Sequence, residues 1–543
     1  MITDQNRLYD GWLTLEGGVD AGRLPDTIEV NQCQSAINMT FRGGSISTRP
    51  GWRKLEEEFP VMVGPAPHHD LNLDSQEWVY NHSFVSQLVN RIQGEYVDHT
   101  KEGVPAVPLP DPPYFFVPQN LENGNSEYVY RHGILQSAIC FNPHNGEDCI
   151  MAMIGGRLFR IIPGVDSCKV REVVIKGEGR DLRNQNNLPL AYMIQADKWM
   201  IAQDGSSLPI IYDGNIARRS RTTGTVDETE IPVGTIMAYG MGRIVVIVND
   251  RNVAFGDLYG SHDGNPGDSI ILFTERNFLA EGFDAAIPFQ QGSATGAIFF
   301  PQLDTSTGNG QLMVFAERGA ASFFVSIPRD QWKTSAFQVL SLLTTGLRGH
   351  RSISVVNEDL WFRSDDGVRS YRQARSEPSG WAHIPLSTNV RQYLENDASG
   401  MLKYCSSIYF DNRIIMTTSP VWSDGRPWHF GFVVVDFDIL SSFGQKYNPA
   451  WEGKWQNTRF VPTQLLTGTF NGVTRAFCFG TDPSFQNCLY ELSKKDKDDW
   501  GGEHIPWEFT TRAFDFGKLS KESTPFTENE LYDGDLWLRE IIE

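Results

Sequence analysis

The sequence contains none of the short motifs that identify common enzyme sites. It has no G-x-S-x-G elbow, no phosphate-binding G-x-x-x-x-G-K-[ST] loop, no H-E-x-x-H helix and no EF-hand loop. No C-x-x-C pair occurs, so a structural zinc site is not expected. With 67 Asp and Glu residues, any single acid–base pair is uninformative without geometry. We therefore expect no enzymatic activity and no cofactor.

Cysteine is scarce and odd in number. The seven residues are Cys33, Cys140, Cys149, Cys168, Cys405, Cys478 and Cys488. The pairs Cys140/Cys149 and Cys478/Cys488 are spaced so that each pair would fit across a hairpin. The alternative, which we favour, is that the cysteines are reduced, buried thiols in a protein that folds in a cytosol.

Long apolar runs and an excess of positive charge are also missing. No stretch approaches the length of a membrane span, and the N-terminal MITDQNRLYDGW has neither the basic nor the apolar region of a signal peptide. The formal net charge is −20, whereas proteins that hold nucleic acid stably are usually basic. We expect a soluble chain made in a cytoplasm. Its acidity either serves solubility or forms a wall that does not retain a passing duplex.

Glycine, proline and aromatic residues are abundant. The 50 Gly and 29 Pro indicate many turns, and 33 Phe, 17 Tyr and 14 Trp are ample for a packed core. From about Leu135, short strand-like runs alternate with turns such as Gly155–Gly156, Asp204–Gly205 and Asp366–Gly367. About seven units of three or four strands result. The pattern predicts an all-β chain with a β-propeller of about six to eight blades over residues 134–517; an array of β-sandwiches is the alternative.

The remaining segments differ in composition and in their expected secondary structure. Residues 1–53 are glycine-punctuated and read as an extended N-terminal arm, whereas residues 54–133 read as a helix- and proline-containing insertion. Its helix is expected to begin with Asp74 as the cap and to end near Gly94, before the proline-rich GVPAVPLPDPPYFFVP. Residues 518–543 read as a C-terminal strand or extension.

Several local patterns admit two interpretations. SDDGVRSY (364–371) is a degenerate Asp-box turn or, as we expect, a hairpin turn. His68 and His69 are adjacent, so their side chains diverge in an extended chain and a metal site is not expected. The basic runs IARRSRTTG (216–224) and GLRGHR (346–351) bind phosphate or form salt bridges. Aromatic doublets such as Trp361–Phe362 serve the core and inter-blade contacts, or form a sugar platform.

Two short stretches near the N-terminus carry a family resemblance. The first is EGGVDAGR, with Gly17, Gly18, Val19 and Asp20, and the second is SAINMTFRGGSISTRPGW, with Asn38, Arg42, Gly43, Gly44, Arg49, Pro50 and Gly51. Together with GLRGHRSISVVNEDLWFRSDDGVRSY and IPWEFTTRAFDFG, they resemble tail hub or nozzle proteins of double-stranded DNA bacteriophages, also called packaged-DNA stabilisation proteins. Residues 54–133 have no counterpart in this resemblance.

The resemblance implies a structural subunit of the virion tail, made in the host cytoplasm. It implies a homohexameric ring around the DNA exit channel, with a portal or adaptor above and tail fibres or tip proteins beside or below. Double-stranded DNA would pass transiently, without sequence-specific binding, and would be retained until ejection. Candidate subunit contacts in the arm are Gly17, Gly18, Asp20, Arg23, Arg42, Gly43, Gly44, Arg49, Pro50 and Gly51.

Other functions and another role for the arm stay open. The chain could be a different virion-attached propeller at the tail tip, a fibre attachment point or the head, or a propeller that binds or cleaves carbohydrate. The segment Ser35–Trp52 could be a tether to a neighbouring subunit, dispensable for folding, or a plain loop that closes the first blade.

Overall fold

The chain folds into a ring of small antiparallel sheets. The computed structural model describes residues 15–513, except 26, 30, 43–44, 60–61, 65–68, 73–76, 81–113, 117–125, 145, 176–183, 185–187, 222–228, 263, 275–284, 302–308, 328, 333–337, 342–345, 357, 372–384, 424–425, 441–448, 458–459, 494–497 and 500–502. Within these residues, seven blades, each built on three or four sequential antiparallel strands, follow one another along the chain.

The first part of the chain contains short strands and one helix. The strands are β1 (Gly18–Val19), β2 (Gln32–Cys33), β3 (Ser35–Ile37), β4 (Met39–Thr40), β5 (Ser47–Thr48) and β6 (Trp52–Glu58), followed by β7 (Met62–Gly64), β8 (His69–Asn72), β9 (Glu77–Tyr80) and β10 (Tyr114–Phe116). The helix α1 (Ser126–His132) precedes the first blade. Strand β7 pairs with β10, and β8 pairs with β9 in an antiparallel hairpin.

The blades are numbered in chain order. Blade 1 contains β11 (Leu135–Phe141), β12 (Cys149–Ile154), β13 (Arg157–Pro163) and β14 (Ser167–Val173), and blade 2 contains β15 (Tyr192–Ala196), β16 (Trp199–Gln203), β17 (Ile210–Tyr212) and β18 (Ala217–Arg219). Blade 3 contains β19 (Met237–Gly240), β20 (Arg243–Val248) and β21 (Asn252–Phe255), and blade 4 contains β22 (Ala294–Pro301), β23 (Asn309–Ala316), β24 (Gly319–Phe323) and β25 (Gln338–Ser341).

The second half of the ring follows the same plan. Blade 5 contains β26 (Ile353–Val356), β27 (Asp359–Ser364) and β28 (Gly367–Ser370), and blade 6 contains β29 (Ser407–Phe410), β30 (Arg413–Ser423), β31 (Arg426–Leu440) and β32 (Pro449–Trp455). Blade 7 contains β33 (Val461–Phe470), β34 (Val473–Thr481) and β35 (Asn487–Leu492); β36 (Asp498–Asp499), β37 (Glu503–His504) and β38 (Glu508–Thr510) come last. A single-turn helix α2 (Arg391–Leu394) precedes blade 6, and 3₁₀ turns lie at Pro266–Ile271, Phe289–Gln291, Arg329–Gln331, His350–Ser352, Leu386–Val390 and Ser399–Tyr404.

Alternating side chains of each blade pack against opposite neighbours. In β20, Ile244 and Val246 belong to the hydrophobic cluster shared with blade 2, whereas Val245 and Ile247 belong to the cluster shared with blade 4. The described residues form seven such clusters, one between each pair of adjacent blades. Because successive strand residues point to opposite faces, a strand buried on both faces requires this nearly continuous apolar pattern. The chain is a seven-bladed β-propeller, which confirms the predicted fold class.

The N-terminal strand β6 completes the last blade. It pairs antiparallel with β35, with Leu55 opposite Leu489, and its other edge pairs parallel with β14, where Glu56 lies opposite Ser167. Blades 7 and 1 therefore share one eight-stranded sheet. The ring is closed by residues from the two ends of the propeller sequence. Their pairing covers a strand edge of β35 that would otherwise be exposed.

This closure corrects the predicted segment boundaries. The boundary expected between residues 53 and 54 cuts through β6, and α1 buries Val129 and Tyr130 in the cluster between blades 7 and 1. The helix expected from Asp74 to Gly94 is wrong at Glu77–Tyr80, which form strand β9 because their cross-strand pairing with β8 overrides the helical apolar spacing. The rest of that helix, and residues 518–543, lie outside the described residues.

The predicted turns are confirmed. Gly155 and Gly156 have φ values of 56° and 76° and form the two-residue turn between β12 and β13, which needs positive φ at both positions. Asp204 accepts backbone hydrogen bonds from Ser206 and Ser207 next to Gly205. Burial opposes ionisation of Asp204, but these hydrogen bonds outweigh it and lower its pKa. Asp366 and Gly367 lie at the turn between β27 and β28, so SDDGVRSY is a hairpin.

The cysteines are unpaired. All seven are free, and six of them are buried. Cys140 lies opposite Ile150, and Cys149 lies opposite Phe141. The two cysteines are therefore diagonal neighbours in the hairpin and do not face each other directly. Burial raises the pKa of the Cys140 thiol to about 12 and that of Cys149 to about 11, so both are protonated at neutral pH. The interpretation as buried thiols is confirmed.

Trp52→Ala is expected to destabilise the ring by about 3–5 kcal/mol, because it empties a fully buried site in the cluster between blades 6 and 7. The matched control is Trp507→Ala, whose side chain is 55% exposed and whose loss is expected to cost about 0.5 kcal/mol or less. Urea denaturation of the two variants checks this, and equal midpoints would contradict the closing role of β6.

Candidate assembly site and the propeller axis

The GGVD turn lies against blade 6 of its own chain. Gly18 has a φ of 66°, and a side-chain Cβ there would lie 2.5 Å from the carbonyl oxygen of Trp451. Gly17 donates from its backbone N–H to the Asn31 carbonyl at 2.9 Å, and a Cβ at Gly17 would lie 2.8 Å from the same oxygen. Positive φ and close backbone approach are the two conditions that require glycine. The glycine pair therefore serves contact within the subunit.

Asp20 and Arg23 form the outer end of this turn. Asp20 is buried, accepts a hydrogen bond from the Gly22 backbone at 3.1 Å and lies 3.4 Å from Arg23 Nε. Burial raises the pKa of Asp20. The Arg23 side chain is 54% exposed and lies 3.9 Å from Glu29. Of the predicted contact residues that the structure describes, Arg23 is the one that presents a largely exposed charged side chain.

The next segment adds strands to the outside of blade 6. Strand β3 lies between β32 and β38, with Ile37 opposite Lys454 and Ala36 opposite Phe509. The blade is thereby extended to six strands. We call residues 15–58 and 498–513, so far as they are described, the clasp. Its strands hold both ends of the propeller sequence against blades 6 and 7.

Arg42 lies in a network of charges at the edge of blade 6. It donates from Nε to Asp436 Oδ2 at 2.6 Å and from Nη1 to Asp411 Oδ2 at 2.7 Å, and its Nη2 lies 3.1 Å from Asp438. The neighbouring Arg413 contacts Asp411 at 3.0 Å and Glu452 at 3.1 Å. Thr40 of the clasp donates its hydroxyl to Glu452 and accepts from Arg413, so the network spans the clasp and three strands of blade 6.

Burial changes the acidity of Glu452. The carboxyl is fully buried. Burial raises its pKa to about 7, with Asp436 adding to the shift and Arg413 opposing it. Two arginines face four carboxylates here, and a proton on Glu452 reduces the excess of negative charge. The network is therefore sensitive to pH near neutrality.

Arg49 is the buried centre of the clasp. Its side chain has no exposed surface; Nη1 and Nη2 lie 3.0 and 2.5 Å from the two oxygens of Asp499. Nε donates to the Asn38 side chain at 2.9 Å, and Nη2 donates to the Gln456 carbonyl at 2.8 Å. Asp499 also accepts from the Trp52 backbone at 2.9 Å. One guanidinium thus joins the junction of β3 and β4, the segment before β6, the end of blade 6 and the C-terminal hairpin.

The remaining residues of the second stretch serve the same contact. Asn38 adopts a φ of 60°, which asparagine tolerates, and donates to the Pro506 carbonyl at 2.7 Å. The Pro50 carbonyl accepts from Arg49, and the Gly51 carbonyl accepts from Ser493 at 2.9 Å. Gly43 and Gly44 lie outside the described residues. Arg42 and Arg49 both make their ion pairs within the chain, and contact of the arm with a neighbouring subunit stays a prediction. The segment Ser35–Trp52 is not a plain loop that closes the first blade, because β3 extends blade 6 and Trp52 begins β6, which completes the last blade.

The basic run GLRGHR brings His350 and Arg351 to the propeller axis. Both precede the first strand of blade 5, yet the His350 ring lies 4.7 Å from the ring of Tyr192 in blade 2. Arg351 Nη1 donates to Gln464 Oε1 in blade 7 at 2.7 Å, and the Gln464 amide bonds the backbone of Ala138 in blade 1. Blades 2 and 5 are not neighbours, so these contacts cross the centre of the ring.

Other charged and aromatic patterns are structural. Arg218 of IARRSRTTG pairs with Glu230 through two 2.8 Å hydrogen bonds, and Arg348 pairs with Asp365. Trp361 packs its ring against Phe437 of blade 6, whereas Phe362 packs against Phe315 of blade 4. The salt-bridge and inter-blade interpretations are confirmed at these positions.

The structure shows neither a metal cluster nor a spanning helix in the part of the chain that it describes. No group of three or more His, Cys, Asp or Glu residues there is arranged to hold a metal ion. His69 and Asp70 lie in β8, and His68 lies outside the described residues. No described helix has the length and apolar character needed to cross a bilayer.

Comparison with known proteins reveals a remote structural likeness. No family model and no curated protein sequence matches the chain. The chain is similar to BBS1N, solved in complex with ARL6DN, at 10% identity and a TM-score of 0.36, covering 68% of this chain and 98% of that one. It is also similar to PorZ, a surface component of the type-IX secretion system of Porphyromonas gingivalis, at 12% identity and a TM-score of 0.35, covering 69% and 38%. The values are low, so no function is transferred from either protein.

Sequence reasoning missed the partners that make the clasp. Asp436, Glu452 and Asp499 lie hundreds of residues from Arg42 and Arg49, and nothing in their local sequence marks them. The arginines themselves stood out because they lie in an acidic chain within a glycine-rich segment. A buried arginine is usually paired with a carboxylate, but the pattern does not say which of the 67 acids supplies it.

Arg49→Ala is expected to cost about 3–5 kcal/mol of unfolding free energy, because it leaves the Asp499 carboxylate buried without its charged partner. Arg23→Ala is the control, for which the exposed pair with Asp20 and Glu29 predicts about 0–1 kcal/mol. Urea denaturation of both variants is the measurement. Equal losses would show that the clasp does not depend on Arg49.

Glu452→Gln is expected to change the pH dependence of stability. The folded state holds the Glu452 proton more tightly than the unfolded chain, so this contribution is complete below the ordinary pKa of 4.5 and is lost as the pH rises through about 7. The wild type should therefore lose stability relative to Glu452→Gln between about pH 5 and pH 8.

The comparison with the variant isolates Glu452 from other buried groups. Burial lowers the pKa of His350 and His429 to about 3, and both therefore weaken the fold as the pH falls below 6.5. These effects are common to wild type and variant and cancel in the difference. A difference in unfolding free energy that stays constant with pH would contradict the assignment.

Proposed function

We propose that this chain is a structural subunit of a bacteriophage tail, a hub or nozzle that assembles into a ring around the DNA exit channel. The structural role of the two stretches that resemble the tail family supports this proposal. Gly18, Asn38, Arg42 and Arg49 all serve the clasp that closes the propeller. A motif that holds a blade together is expected in a protein whose role is mechanical.

The propeller axis supports a channel formed between copies of the chain. Contacts from Arg351 and His350 cross the centre of a single propeller, so a duplex has no path through it. The net charge of −20 suits a lumen wall that retains no phosphate contacts as DNA slides past. In this proposal the DNA is held back by the closed ring and is released on ejection when the ring opens.

The outer surface of the clasp is the proposed contact with the next subunit. Arg23 is 54% exposed, and Leu24 and Trp507 are 69% and 55% exposed. Tryptophan and arginine are the side chains that contribute most often to protein interfaces. A neighbouring copy that covers them would bury apolar area without disturbing the buried ion pairs beneath.

Imaging of purified protein and of tails that contain it tests the ring. We expect about six copies around a central channel, as the tail resemblance implies, with the outer surface of the clasp at the subunit contact. A chain that stays monomeric at all concentrations and is present in virions as scattered single copies would overturn the proposal. Turnover of a polysaccharide by the isolated chain would equally overturn it in favour of a glycan-directed propeller.

The double variant Arg23→Glu, Trp507→Ala is expected to reduce ring formation at least about tenfold while leaving monomer stability within about 1 kcal/mol of wild type. Phe289→Ala is the matched control, because that ring is 83% exposed in the 3₁₀ turn before blade 4 and is not part of the clasp. Mass photometry across a dilution series gives the ring fraction. Equal ring fractions in the double variant and the control would place the subunit contact elsewhere.

A further inference from the structure

Arg351 carries a positive charge at the propeller axis. Its guanidinium has one protein acceptor, Gln464 Oε1 at 2.7 Å from Nη1. Its Nε is closed off from solvent and has no hydrogen-bond partner. Deep enclosure by the surrounding blades lowers the pKa of Arg351 to about 10, so the side chain remains protonated at neutral pH. This charge takes no part in the clasp, and its one hydrogen bond goes to a neutral amide in blade 7.

The surroundings of Arg351 contain no compensating negative charge in the described part of the chain. The groups that favour its charged form are Tyr192, Cys405 and Tyr404, none of which is a carboxylate. Burial raises the pKa of Tyr192 and raises that of Cys405 to about 12, so neither becomes an anion near neutrality. Asparagine and glutamine amides satisfy a hydrogen bond but do not neutralise a cation.

Other buried arginines in the described residues show the usual solution. Arg49 pairs with Asp499 at 2.5 Å, Arg363 pairs with Asp397 at 3.0 Å, and Arg413 pairs with Glu452 at 3.1 Å. An enclosed guanidinium without a carboxylate is costly, because the charge has lost water and gained no counter-charge. In a chain with 20 more acids than bases, a lone buried cation is a local departure from the overall composition.

Arg351 and His350 are enclosed at the axis but not fully buried. Each keeps some accessible surface, although both are surrounded by the inner strands of several blades. Solvent therefore reaches part of these side chains, while the blades exclude most of the water that would screen the charge of Arg351.

We infer that Arg351 binds a small oxyanion at the propeller axis. Phosphate, sulfate and carboxylate share the required chemistry, since each presents two oxygens to the planar fork of a guanidinium. The anion would supply the counter-charge that the protein lacks and would join the bridge that Arg351 and Gln464 make from blade 5 to blade 7. This inference does not depend on the tail assignment.

Thermal unfolding with added oxyanion tests the site. Inorganic phosphate, sulfate and acetate are titrated separately into the full-length protein in chloride buffer at constant ionic strength. A ligand that binds the folded state raises the unfolding midpoint with the logarithm of its concentration. We expect this rise for at least one of the three anions, and we expect Arg351→Gln to weaken the apparent affinity about tenfold or more.

Two further variants keep the result interpretable. Arg348→Gln removes a positive charge from the same basic run, but its partner is Asp365, so it should leave the anion response unchanged. Arg351→Lys keeps the charge without the planar fork and should retain a weaker response. If Arg351→Gln does not fold, ³¹P line broadening of phosphate with wild type and Arg351→Lys gives the same comparison. No response to any of the three anions, or an equal response in the Arg351 variants and wild type, overturns the inference.

Discussion

The structure depends on the buried contact between Arg49 and Asp499. A propeller must join its two ends, because an open ring would expose a long sheet edge and an apolar blade face. Here the join is made by β6, and Arg49 fixes the position of the chain immediately before it. The Asp499 carboxylate also accepts a hydrogen bond from the backbone of Trp52, which is the first residue of β6. The inter-blade clusters can form a closed ring only when β6 pairs with β35 in this register.

The similarity of the blades explains why so many polar contacts are buried in this structure. Each sheet is apolar on both faces, so the blades supply little that distinguishes one neighbour from another. Directional contacts add that distinction. Gln464 bonds blade 1, Arg351 bonds blade 7 and Arg413 bonds the clasp, each through a geometry that one partner satisfies. Buried ion pairs contribute little net stability compared with apolar packing, and registering the chain is their best-supported role.

Much of the fold was predictable from the sequence. Turn chemistry at Gly155–Gly156 and Asp204–Gly205 is local, and the double-sided apolar runs of blades such as β20 follow from burial on both faces. The error at Glu77–Tyr80 arose because an apolar spacing that suits a helix was outweighed by cross-strand pairing. The clasp could not be predicted, because glycine, arginine and proline mark a tight path without showing which surface it follows. Arg42 and Arg49 stood out in the sequence, but their partners within the chain are set by tertiary structure alone.

The closing strand also has a consequence for the order of folding. Residues 52–58 are synthesised before all of the blades, whereas their partner β35 ends at Leu492. During synthesis, β6 must therefore wait with unpaired edges while the blades between them form. Contacts so distant in sequence carry a large loop-closure entropy and slow the final step of folding. The three adjacent glutamates Glu56, Glu57 and Glu58 keep that waiting strand charged, which discourages its pairing with the wrong chain.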